Sequence, residues 1–144
     1  MKSFLMLASS LILFATISCG QKISEKNLPD AVKTAFSSKY PTATNIKWGT
    51  ENAKEYEAEF KLNNNDVSAN FLVTGEWVET ETVLSVADLP ATITNAIKSK
   101  YPSALITKAE KLEKPGGKIL YEVFIKINGK TKEVELNADG SFVK

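Results

Sequence analysis

The sequence contains no histidine and no arginine: its eighteen basic residues are all lysine, and they face seventeen Asp and Glu. Without imidazole the chain lacks the commonest general base, zinc ligand and haem axial ligand. Without guanidinium it lacks the planar fork that grips phosphate, carboxylate or guanine in bidentate fashion. The formal net charge of +1 supplies no overall field that would attract nucleic acid. A single cysteine, Cys19, permits no disulfide within the chain, so the fold must rest on its core. Serines and threonines are plentiful, but no motif singles out a nucleophile with its base. These absences point away from an enzyme, and neither a cofactor nor a resident metal is expected.

What is present is an ordinary globular composition, 43% apolar and 24% charged, behind an apolar leader. Lys2 is followed by FLMLASSLILFATI, a run long enough for the core of a signal peptide and too short to span ~30 Å of hydrocarbon. Residues 1–19 are therefore expected to be an export signal. Its end, T-I-S-C-G, resembles a bacterial lipobox, which makes Cys19 the expected lipidation site and new N-terminus. Thr16 stands where that pattern usually has leucine. Simple cleavage, with small residues flanking the cut, is the other reading. The expected location is the periplasm or the outer membrane, with a lipid anchor as the only membrane contact. Residues 20–27 read as a polar tether.

The stretch LPDAVKTAFSSKYPTA, residues 28–43, returns as LPATITNAIKSKYPSA, residues 89–104, with eight of sixteen positions identical. A fixed-period repeat of this kind governs the reading of the whole chain. In each copy a proline opens a helix and a second proline closes it. Leu28, Val32, Phe36 and Tyr40 form an apolar stripe at spacing four, matched by Leu89, Ile93, Ile97 and Tyr101. The period then changes to two. Tyr56, Ala58, Phe60 and Leu62 alternate with Glu55, Glu57, Glu59 and Lys61, a half-buried strand. Residues Asn63–Asp66, Asn128-Gly129 and Asp139-Gly140 read as turns.

The second half follows at a shift of sixty-five, pairing Tyr56 with Tyr121, Gly75 with Gly140 and Trp77 with Phe142. The expected fold is α+β: two tandem repeats, residues 28–88 and 89–144, each with one helix packed on a roughly four-stranded antiparallel sheet. Because ~60 residues are marginal alone, the halves are expected to share a core or join edges. The halves also differ in charge. Residues 28–88 carry five Lys against ten Asp and Glu, whereas residues 89–144 carry ten against six.

The pattern LPxxVxxxFxxxYPxA, followed by Trp48, the Tyr56-Glu57 strand and the Gly75-Glu76-Trp77 hairpin, resembles the PepSY-like family, also called β-lactamase-inhibitor-like. The resemblance covers about residues 28–144. It implies helix-plus-sheet units in an envelope or secreted module, some relatives being thought to inhibit peptidases. The β-lactamase inhibitor protein shares the tandem plan, but its disulfides and contact residues have no matches in this sequence. Inhibition of that enzyme would rest on fold analogy alone.

Two surfaces are candidates for function. Phe124 lies on the strand face of Glu122 and Lys126, where the first half has Glu59. With Trp77 and Phe142 it offers aromatic anchors of the kind that dominate interfaces. A non-enzymatic envelope protein that binds a protein or peptide, as inhibitor or sensor, is the leading expectation. The alternative is a small-ligand or cation-binding protein using Glu55, Glu57 and Glu59, which share one strand face. A solvated strand face would carry the same glutamates.

Overall fold

A computed structural model describes residues 21–143; the leader, Cys19 and Lys144 lie outside the described residues. The helices are α1 (Asp30–Lys39) and α2 (Ala91–Lys100), as the spacing-four stripes predict. The strands are β1 (Lys22–Ile23), β2 (Thr44–Asn52), β3 (Glu55–Leu62), β4 (Asn65–Leu72), β5 (Trp77–Leu84), β6 (Leu105–Lys114), β7 (Lys118–Ile127) and β8 (Lys130–Asn137). Part of the stretch read as a tether is thus structured, with Lys22 opposite Gly49 and Ile23 opposite Trp48.

All eight strands form one antiparallel sheet in sequence order. This corrects the expected fold class. There are not two helix-on-four-strand units but a single, mostly β molecule in which two helices accompany one continuous sheet. The join is β5 with β6, paired from Thr80↔Glu113 to Leu84↔Ala109. Two antiparallel strands ten residues or more apart in sequence can still hydrogen-bond as neighbours when a helix carries the chain between them. Here α2 does so, and both potential inner edges are consumed.

The register assigns the faces. Val67, Thr82, Lys111, Tyr121 and Leu136 stand side by side across β4 to β8, so residues of their parity share one face. Both helices pack on that face. Val32 and Phe36 of α1 join Trp48, Ala58, Phe60, Ala69 and Phe71 in one core. Ile93 and Ile97 of α2 join Ala109, Val123, Ile125, Val134 and Leu136 in a second. Phe36 is the hub of the first, its ring centroid 5.0 Å from Trp48 and 5.1 Å from Phe60 in edge-on contacts. Asn63-Asn64 and Asn128-Gly129 all have positive φ, the geometry of a tight two-residue hairpin.

The repeated Gly and Lys have a common structural cause. The turns after β4 and β8 press against the first turn of a helix. A Cβ on Gly75 would stand 2.6 Å from the Ala31 carbonyl oxygen, and one on Gly140 would stand 3.0 Å from that of Thr92. The aromatic after each turn is then covered by the lysine at the end of the same helix. Lys39 Nζ lies 3.6 Å from the Trp77 ring centroid, and Lys100 Nζ lies 3.9 Å from that of Phe142. Gly75→Ala should therefore cost about 2 kcal/mol, from positive φ together with the clash. Gly129→Ala, where nothing lies within 4 Å of the new Cβ, should cost about 1 kcal/mol. Urea unfolding of the two variants, side by side, measures the difference.

Candidate functional site: the helix-free face of the sheet

The strand residues of opposite parity form a face that carries no helix among the described residues. One row across it reads Lys47, Glu59, Ser68, Glu81, Leu112, Leu120 and Asn137, on β2 to β8. The next row reads Val83, Glu110, Glu122 and Glu135. Beyond it stand Lys108, Phe124 and Glu133. Leu112 and Leu120 are buried at 3% and 1% exposure yet belong to neither core. They make an apolar centre on this face, bordered by Glu81, Glu110 and Glu122 and, on the other sides, by Lys114, Lys118 and Asn137.

Those carboxylates are electrostatically crowded. Burial pushes the Glu81 pKa up to about 7, helped by Glu110, Glu79 and Glu57 and opposed by Lys108. Burial likewise pushes Glu122 up to about 7, helped by Glu133, Glu81 and Glu110. Glu57 and Glu133 are raised for the same reasons, burial first and neighbouring glutamates next. Two lysines reach into the cluster. Lys108 Nζ is 3.1 Å from Glu110, and Lys114 Nζ is 2.8 Å from Glu79. Ser68 donates its hydroxyl to Glu81 at 3.5 Å.

The aromatic candidates separate. Phe124 sits on the helix-free face, half-buried between β6 and β8, with Lys108 Nζ 4.9 Å from its ring centroid. Trp77 belongs to the opposite face. It packs against the first core, and its indole N–H donates to the Thr80 hydroxyl at 2.9 Å. That hydroxyl is also bonded to the buried Tyr40 phenol, so Trp77 closes a polar group within the core. Phe142 packs against the second core, 6.0 Å from the Tyr101 ring, and bridges Leu136. The structure therefore does not bring the three aromatics onto one surface.

Glu55, Glu57 and Glu59 do share the helix-free face, opposite Leu72, Asn70 and Ser68. Among the described residues, however, no group of three or more acidic side chains converges so as to hold a metal ion. Glu110, Glu133 and Glu135 were not singled out from the sequence. Each is one acidic residue in an alternating strand, and only strand register puts them together. An open groove of about 290 Å³ lies elsewhere, between α1 and the start of β2, lined by Phe36, Tyr40, Pro41, Ile46 and Trp48 with Glu25 and Lys33 at its polar rim.

The architecture is an uninterrupted antiparallel sheet with both helices on one face and a charged, half-buried opposite face. The family model described as "Putative beta-lactamase-inhibitor-like, PepSY-like" matches residues 16–67 and 54–144, and the chain belongs to that PepSY-like family. Solved structures that share the fold include three from Bacteroides. A DUF2874 family protein from Bacteroides ovatus is 25% identical, with TM-score 0.74 over 81% of this chain and 85% of its own. A BLIP-like protein from Bacteroides fragilis is 25% identical, with TM-score 0.71 over 81% and 84%. A Bacteroides eggerthii protein, described as periplasmic, is 21% identical, with TM-score 0.73 over 81% and 86%. No curated protein matches the sequence.

The geometry separates packing from surface roles. Trp77→Ala should destabilise by about 3 kcal/mol, through lost ring volume and the lost indole N–H donor to the Thr80 hydroxyl. Phe124→Ser should cost about 1 kcal/mol or less, since its ring is half-exposed. Urea midpoints at one pH, with near-UV circular dichroism to follow the aromatic packing, distinguish the two.

Proposed function

We propose that this chain is a non-enzymatic, exported envelope protein that binds a protein or peptide partner across the helix-free face of its sheet. The observation that carries the reading is that face itself. It spans β2 to β8, no helix of the described residues packs on it, and it presents the half-buried ring of Phe124 among lysine and glutamate. A sheet surface with an aromatic anchor in a charged surround suits a partner that combines an apolar contact with complementary charge. Membership of a β-lactamase-inhibitor-like family favours an inhibitor or sensor role over catalysis. The chain's lack of histidine favours the same side. Export rests on the apolar leader and on the periplasmic description of a protein with the same fold. Lipidation at Cys19 would hold the protein at the outer membrane.

Phe124 is the anchor in this reading, while Trp77 and Phe142 serve the two cores. Cation binding through Glu55, Glu57 and Glu59 gains no support from the placement of those side chains. The test is affinity capture from envelope extract with soluble protein starting at Gln21, beside the Phe124→Ser variant. A partner retained by the parent and lost by the folded variant supports the reading. Retention by both displaces the contact from Phe124. Capture of nothing by either overturns a stable protein partner.

A further inference from the structure

Three glutamates stand directly opposite one another on adjacent strands: Glu110 on β6, Glu122 on β7 and Glu135 on β8. Like charges in such cross-strand pairs destabilise a sheet. Glu110 is also buried, at 8% exposure, where a charge loses its hydration. Burial of the row is reinforced by Leu112 and Leu120, which occupy the neighbouring row at 3% and 1% exposure. Solvent screening is correspondingly weak there.

We propose that Glu122 and Glu81, crowded by Glu110, Glu133 and Glu135 on the neighbouring strands, form a proton-uptake device that strengthens the sheet in mildly acidic surroundings and weakens it above neutrality. The surrounding charges do not neutralise it. From β3 come Glu57 and Glu59, and from β5 come Glu79 and Glu81. β4 offers Asn70 and the Ser68 hydroxyl, which are neutral. β6 supplies Lys108, bonded to Glu110 with its own side chain 51% exposed, and Lys114, whose ammonium is bonded to Glu79. β7 adds Lys118 and Lys126 at the two ends of this face, opposite Lys114 and Leu105. β8 adds Glu133 and Glu135. Carboxylates outnumber the lysines in contact with them, and the helices pack on the other face.

Protonation relieves this crowding because a neutral carboxyl needs no counter-charge and can donate a hydrogen bond to a neighbouring carboxylate. Glu81 and Glu122 are both held up to about 7, against an ordinary 4.5. The folded chain therefore holds more protons than the unfolded chain between those values. Stability contributed by the protonated forms is fully present below about pH 4.5 and is lost as pH rises through about 7. Asp30 and Asp139, lowered by Lys33 and Ser141 respectively, act in the opposite sense only at more acid pH.

The test is urea unfolding of the chain from Gln21 at about pH 5.5 and about pH 8, at constant ionic strength and with a chelator present. The folding constant extrapolated to water should be on the order of tenfold larger at the lower pH, after allowing for the partial solvent exposure of both groups. In a Glu81→Gln, Glu122→Gln double variant, whose amides imitate the protonated carboxyls, the difference should shrink by at least half, with the gain appearing at the higher pH. A parent equally stable at both values, or more stable at the higher one, overturns the proposal. So does a folded double variant that keeps the whole difference.

Discussion

The pairing of β5 with β6 is the constraint on which the rest of the molecule depends. Five residue pairs, Thr80↔Glu113 through Leu84↔Ala109, connect two sequence-related halves. Without them each half would expose an inner strand edge, an invitation to pair with another chain. With them, β2 to β8 share one parity, both helices fall on the same face, and everything of opposite parity is left without a helical cover. The second half has only three strands, β6 to β8, so the last strand of the first half serves as its fourth neighbour.

Within that sheet each half is held by the same local device. A helix ends in Lys-Tyr-Pro, its lysine covers an aromatic that follows a glycine turn, and the turn rests against the helix's own first residues. The glycine is required because the backbone there has positive φ and because the helix backbone leaves no room for a Cβ. The halves diverge at the tyrosine. Tyr40 is buried and bonded to Thr80 of β5, whereas Tyr101 is half-buried and accepts from Lys132 at 2.9 Å. The difference follows from the neighbour. β5 runs beside β4 from Trp77 to Thr82, but on the edge of β8 away from β7 the described residues pair only through Ser141, Phe142 and Val143.

The helix-free face combines two demands that pull against each other. A sheet face that no helix of the described residues covers favours exposed, charged side chains, while the middle of this one buries Leu112 and Leu120. Leu112 and Leu120 satisfy the second demand, Phe124 and the rim lysines the first. The glutamates between them are caught in both. Their crowding costs stability.

The local sequence determined the elements. Stripes at spacing four place Val32, Phe36, Ile93 and Ile97 in the cores, alternation at spacing two marks β3, and Asn-Gly marks the turn between β7 and β8. These are legible because each depends on neighbours a few residues apart. The sequence also showed Phe124 as a departure from Glu59, and the structure places it on the helix-free face. Tertiary structure alone decided that β5 joins β6, that Trp77 and Phe142 turn inward, and that Glu81, Glu110, Glu122 and Glu135 meet. Strand pairing joins backbone groups that any residue carries, so it leaves no periodic trace in the chain. Long-range register, set by how two cores and one sheet pack together, is what turns four ordinary outward glutamates into one crowded cluster on two adjoining rows.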